Sequence, residues 1–130
     1  MLFRSDEWNV TRVSPDEYSA KCRVLEDHCR AVGRDPATIG RSLMVPIIIG
    51  RTQAEMSARL ARTLRIFPRL PEDAAGWRAA SFLFGSPAEI VKDLRRWRDL
   101  GIGRVMLQLL DQEDLDAIAL VGREVKPALA

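Results

Sequence analysis

Histidine is almost missing from this chain of 130 residues; the single one, His28, has no second histidine to share a metal with. Cysteine is nearly as scarce. Cys22 and Cys29 lie on a segment that reads as a helix, where two turns set their Cα atoms roughly 10 Å apart, beyond the reach of a disulfide. No C-x-x-C occurs, so zinc-ligand spacing is absent and no metal site is expected. Both thiols read as buried or half-buried groups in a reducing compartment. G-x-S-x-G, the P-loop and G-x-G-x-x-G are missing as well, which leaves catalytic residues unknown. No apolar run approaches the ~20 residues of a membrane helix, and nothing resembles a signal peptide. These absences point to the cytoplasm and away from a membrane. The net charge of +2 is too small to imply a nucleic-acid partner. Arg59, Arg62 and Arg65 therefore read as the solvated side of a helix, with no aromatics interleaved for base stacking.

The length allows one domain with a real core, and 47% hydrophobic with 29% charged residues is ordinary for a globular protein. The most legible stretch runs from Gly85 to Leu110. Ser86, Pro87 and Glu89 form a capping box with proline at the first helical position. Ile90, Val91, Leu94 and Trp97 make one apolar stripe, and Gly101 supplies a left-handed stop. Val105 to Leu110 then reads as a strand apolar on both faces, broken by Gln108, as in a covered parallel sheet. Ser14, Pro15 and Glu17 repeat the box for an earlier helix bearing Tyr18, Cys22, Leu25 and Cys29, closed by Gly33. Asp6 to Val10 reads as a short strand, and Leu43 to Ile49 as a long one, with a bulge or a break in pairing expected at Pro46. Thr52 and Glu55 open a helix running to about Leu64, and Glu72 to Ala80 suggests a short helix carrying Trp77. A last helix, about Asp114 to Val125, would turn Leu115, Ile118, Ala119 and Val125 inward and end at Pro127. Strands alternating with helices indicate βα units with right-handed crossovers.

In such folds ligands meet the carboxyl ends of the strands. That rule selects Asn9 and Thr11, Arg51, and Gln108 with Asp111. Gln108 is the most informative of them, because an unpaired carboxamide is costly to bury; it either meets a structural partner or faces a ligand. Trp8 is either core or a ring-stacking residue.

Several motifs taken together resemble the luciferase-like monooxygenases, especially their deazaflavin-dependent branch. Asp6-Glu7-Trp8-Asn9 is similar to that family's D-[GE]-W-N strand. The segment from Cys29 to Ile39 is similar to its C-x3-G-R-D-P-x-T-I stretch. Gly85-Ser86-Pro87-Ala88-Glu89 resembles its G-[TS]-P-x-E helix start, and Gly101 to Gln108 its last barrel strand. The resemblance covers essentially the whole chain. It implies the C-terminal part, about strands six to eight, of a TIM (β/α)8 barrel, as a single partial domain over residues 1–130 with a helical insertion at about 51–81. A full barrel takes about 250 residues, and the family's glycine-rich phosphate loop would fall just before residues 1–4. The implied activity is that of an oxidoreductase or monooxygenase using FMN or a deazaflavin on a small-molecule substrate. Trp8, Asn9 and Gln108 are the implied cofactor-binding residues, and the chain alone is expected to bind no cofactor. Open sheet edges would call for a partner, either a homo-oligomer or an N-terminal barrel half. The alternative is a non-catalytic α/β module that associates through those same edges.

Overall fold

The computed structural model describes residues 5–130; residues 1–4 lie outside them. Four parallel strands, β1 (Glu7–Thr11), β2 (Gly40–Ile49), β3 (Leu83–Gly85) and β4 (Arg104–Gln108), form one sheet around β2. Helix α1 (Pro15–Ala31) and a 3-10 turn (Pro36–Thr38) connect β1 to β2. Helices α2 (Gln53–Ile66) and α3 (Ala74–Ala79) lie between β2 and β3, α4 (Pro87–Asp99) joins β3 to β4, and α5 (Leu115–Leu120) follows β4. Ser42, Leu43 and Met44 pair with β1 and with β4 at once, so these two strands flank β2 on opposite sides. β3 takes over at Ile47–Ile49, where both of those ladders have ended. β2 runs straight through Pro46, which is paired in register with Gln108. Neither a bulge nor a break occurs there. The missing N–H is tolerated because partners change at this point of the strand.

The helix ends follow local chemistry. Ser14 with Glu17 and Ser86 with Glu89 form reciprocal capping boxes, each with proline in the first turn. Gly33 at φ 68° and Gly101 at φ 100° occupy the left-handed region that ends α1 and α4. Thr52 caps α2, although the Glu55 carboxylate accepts from the Arg51 N–H rather than from its own cap. The last helix departs from the sequence reading in two ways. Ala117 and Leu120 are buried while Leu115 is 70% and Ile118 48% exposed, so the buried stripe is rotated. Pro127 does not stop it either. A π-helical turn (Val121–Val125) precedes α6 (Lys126–Leu129), where the proline sits in the first turn and needs no N–H donor.

Alternation along the strands separates two faces. Leu43, Val45, Ile47 and Ile49 of β2, with Val10 and Leu83, point outward into a core shared with Tyr18, Ile90, Leu94, Trp97, Ala117 and Leu120. Ile48 and Phe84 point the other way and are covered by Met56, Leu60 and Trp77 of α2 and α3. The segment between β2 and β3 is thus a roof over the upper end of the inner face. Below it the inner face is open. Thr11 is exposed, Met44 is half-buried and Met106 is 38% exposed. The apolar run of β4 is therefore covered on one side only, unlike the strand covered on both faces that its composition suggests.

Tyr18 is fully buried, stacked on Trp8 at 5.9 Å and edge-on to Trp97 at 5.8 Å, and its hydroxyl finds no hydrogen-bond partner among the described residues. Burial, followed by the neighbouring Cys22, pushes its pKa up to about 12 from an ordinary 10.0. The folded state thus holds the phenol proton more tightly than the unfolded chain does. The stability this contributes is complete below pH 10 and is lost as pH rises toward 12. Tyr18 is the sole tyrosine, so phenolate absorbance reports it alone and should appear together with alkaline unfolding. Tyr18→Phe should flatten that alkaline loss and add about 1 kcal/mol at neutral pH by removing an unsatisfied polar group. An ordinary midpoint, or a variant with an unchanged alkaline limb, would refute this account.

Candidate functional site

The open inner face has a polar floor, an apolar middle and a roofed upper end. At the floor, where the strands begin, Arg104 on β4 reaches across β2 to the Glu7 carboxylate on β1, and the Ser42 hydroxyl donates to Glu7 at 2.6 Å. The Asn9 carboxamide nitrogen donates to the Ser42 oxygen at 3.0 Å. Because Ser42 has one hydrogen and gives it to a carboxylate, it can only accept from Asn9, which fixes that side chain's orientation. The Ser42 hydroxyl, followed by the Arg104 guanidinium, holds the Glu7 carboxyl below the usual carboxylate range. Thr11, Met44 and Met106 form the next layer, in register across the three strands. Gln108 stands above them at the carboxyl end of β4, half-buried, and no hydrogen bond holds its carboxamide among the described residues.

The three residues implied as cofactor-binding are not brought together. Trp8 lies on the outer face, stacked on Tyr18, because neighbouring residues of a strand point to opposite sides. Asn9 and Gln108 share the inner face, but two strand spacings and four residues of rise separate them by roughly 16 Å. Asn9 belongs to the floor, and Gln108 to the mouth.

Sequence reasoning placed Arg59, Arg62 and Arg65 on a solvated helix face, and for two of them this is wrong. Arg59 Nε donates to Asp114 at 2.8 Å and its Nη1 to the Ile49 carbonyl at 2.9 Å, while Arg62 binds Asp111 at 2.9 Å and also Asp114. Asp114 itself caps α5 through the Ala117 N–H. Burial alone would raise the Asp114 pKa, but the Arg59 and Ala117 hydrogen bonds and the two guanidinium charges outweigh it and hold the carboxyl below its usual value. The arginine stripe is thus a latch that fastens the roof to the β4–α5 connection. A cleft of about 590 Å³ beside it also carries Glu55, Glu113 and Asp116, so acidic groups match or exceed the arginines and no phosphate-binding surface results. The i, i+3 spacing of Arg59 and Arg62 was visible in the sequence; Asp111 and Asp114 as their partners were not, because some fifty residues intervene. Among the described residues no cluster of His, Cys, Asp or Glu is arranged to hold a metal, and no helix is long and apolar enough to cross a membrane.

No protein-family model matches the sequence, and no curated protein is similar to it. Solved structures are. An F420-dependent secondary alcohol dehydrogenase in complex with an F420-acetone adduct superposes with a TM-score of 0.69 at 14% identity, over 96% of this chain and 43% of that one. The coenzyme F420-dependent tetrahydromethanopterin reductase of Methanopyrus kandleri gives 0.64 at 15% identity, over 96% and 46%. Over the matched part, this chain has their fold. A long-chain alkane monooxygenase gives 0.60 at 15% identity, over 92% of this chain and 36% of that one. The chain therefore spans less than half the length of each of these three enzymes. The parallel α/β architecture expected from the sequence agrees with them, and at such identities the likeness is one of fold alone.

Proposed function

We propose that this chain is the closing part, about strands six to eight, of a luciferase-like oxidoreductase barrel, and that its inner face forms one wall of a flavin or deazaflavin pocket. The observation that carries this is Gln108: a free carboxamide at the carboxyl end of the edge strand β4, above the apolar middle layer of Met44 and Met106 and below the level of the roof of α2 and α3. That arrangement fits one side of a tricyclic ring, with the methionines against its face and the carboxamide against its polar edge. When bound, such a group supplies hydride transfer or oxygenation to a small-molecule substrate; the protein places it and excludes water. Asn9 acts from the floor by setting the polar layer, and Trp8 acts from outside by backing β1. One wall is not a pocket, so the chain alone holds the cofactor weakly, and the remaining wall comes from whatever closes the sheet.

The test is a titration of the isotope-labelled chain with coenzyme F420, and separately with FMN, read by the resonances of the methionine methyls and the Gln108 carboxamide. The expected result is weak, saturable binding that perturbs Thr11, Met44, Met106 and Gln108 together. Gln108→Ala should weaken it by about fivefold, the worth of one hydrogen bond near 1 kcal/mol. Perturbations confined to other surfaces would remove the reading. A stoichiometric micromolar complex would instead show a self-sufficient site and overturn the partial wall.

A further inference from the structure

A pocket of about 520 Å³ lies between the roof and the turn that follows β1, within the ~300–1,000 Å³ usual for small-molecule sites. Phe67, Pro68, Pro71 and Phe82 give it an apolar surface, and the exposed Arg12 and Arg69 flank that surface. No carboxylate belongs to its lining, and no ion pair engages Arg12 or Arg69 among the described residues. In the cleft beside the latch the arginines are already matched by acids; here they are not. The apolar surface is held in place. The Pro71 carbonyl accepts from Trp77 Nε1 at 2.9 Å, and the Phe82 ring meets the buried Trp77 indole edge-on at 5.5 Å. None of this lining is a sheet edge.

The backbone singles out the same place. Arg12 at φ 52° and Ser81 at φ 61° are the two non-glycine residues with left-handed backbone among the described residues, and Ser81 immediately precedes Phe82. A Cβ makes that conformation costly, and such strain gathers at sites that hold ligands. Had β1 continued, Arg12 would have followed Val10 toward the outer core; the left-handed turn brings it to the pocket instead.

We propose that this pocket takes the substrate, a small carboxylic acid whose body carries an aromatic ring. Two guanidiniums with no acid beside them select an anion and can grip a planar carboxylate through paired N–H donors. A doubly charged phosphate would cost more to bring against so apolar a surface. The phenylalanine rings offer edges and faces to another ring, and the fixed loop leaves little to order on binding. The substrate role rests on the cofactor reading, because Thr11, in the middle layer of that wall, directly precedes Arg12; the binding itself does not.

Titration of the isotope-labelled full chain with 4-phenylbutyrate tests this, read by the ring resonances of Phe67 and Phe82 and the Nε–H resonances of Arg12 and Arg69. Saturable binding that moves them together is expected. The alcohol 4-phenylbutanol, with the same ring and no charge, should bind at least about tenfold more weakly, the worth of a charged hydrogen bond. Equal affinity for acid and alcohol, or perturbation confined to other surfaces, overturns the proposal. Octanoate that binds as tightly as 4-phenylbutyrate overturns the aromatic body, and 3-phenylpropyl phosphate that binds more tightly overturns the carboxylate. Arg12→Asn removes the cation with a residue that tolerates the left-handed region, and Arg69→Gln alters an exposed side chain. Each should weaken 4-phenylbutyrate by about tenfold and leave 4-phenylbutanol unchanged; a loss shared equally by both ligands overturns the role of that arginine. Should either variant fail to fold, the comparison of acid with alcohol on the unmodified chain decides. Parallel titration with coenzyme F420 and FMN separates the two readings. Binding of 4-phenylbutyrate with Met44, Met106 and Gln108 unmoved by either cofactor overturns the substrate role and leaves the carboxylate site. Cofactor binding without 4-phenylbutyrate binding overturns the pocket alone.

Discussion

Trp77→Ala is expected to cost about 3–5 kcal/mol, the largest loss of any single truncation in the roof. The indole is fully buried, its ring meets Phe82 at 5.5 Å and Phe84 at 6.3 Å, and its Nε1 donates to the Pro71 carbonyl at 2.9 Å. Removing it opens a cavity between α3 and the inner face and strands the Pro71 carbonyl. That carbonyl belongs to the loop that turns the chain from α2 into α3, so the roof loses its anchor and its covalent guide together. Urea unfolding followed by circular dichroism measures this. With a slope of about 1–3 kcal/mol per molar, the midpoint should fall by roughly 2 M. Trp8 and Trp97 remain as fluorescent reporters of the outer core and should show the same transition if roof and sheet unfold as one unit. A loss below about 1 kcal/mol would mean that α3 rests on the sheet without being held by it.

Substitution at Asp114 should come next in size. Its side chain is 5% exposed and accepts from both Arg59 and Arg62, with the Arg59 side chain itself 13% exposed. Asp114→Ala removes a buried partner and a helix cap, at a cost of about 3–5 kcal/mol. Arg62 keeps Asp111, and Arg59 keeps the Ile49 carbonyl and Glu55, which places the expected value toward the lower end. Asp114→Asn retains a side chain that can cap α5 and so isolates the charge, for about half that loss. The pH dependence has a definite sign. The folded pKa lies below the ordinary value of 3.8, so the folded state binds this proton more weakly than the unfolded chain. The contribution is complete above about pH 4 and disappears as pH falls through the folded value. The stability gap between the wild-type chain and Asp114→Asn should therefore close in acid. A gap of constant size from neutral pH into acid would show that shape, and not charge, holds the latch.

Local chemistry made much of this fold legible from the amino acids. Ser14 with Glu17 and Ser86 with Glu89 announce their helices through groups three residues apart, and Gly33 and Gly101 mark the stops by a backbone conformation that glycine adopts freely. The stripe of Ile90, Val91, Leu94 and Trp97 is a property of helical period alone, and all four residues are buried as the period requires. The three expected strands are present as well, because runs such as Ile47-Ile48-Ile49 leave little choice. Where the sequence reading failed, the deciding contact was distant. The phase of α5 depends on Asp114 being drawn toward Arg59, and Arg59 owes its burial to Asp111 and Asp114; neither relation has a local signal. Pro127 was a stop by local rule, yet a π-helical turn just before it lets the helix continue.

The candidate site divides in the same way. Gln108 could be singled out from the sequence, since a carboxamide inside an apolar strand is costly wherever that strand goes. The sequence alone also determined a parallel α/β fold, from strands and capped helices in alternation. Only the tertiary structure decided which face each strand residue joined. It put Trp8 behind the sheet, Asn9 in a floor shared with Ser42, Glu7 and Arg104, and Gln108 at the mouth. The physical reason is register: the period of two says that neighbours part, but which of them meets solvent, core or site depends on what packs against each face. The roof of α2 and α3 and the arginine latch both arise from that packing.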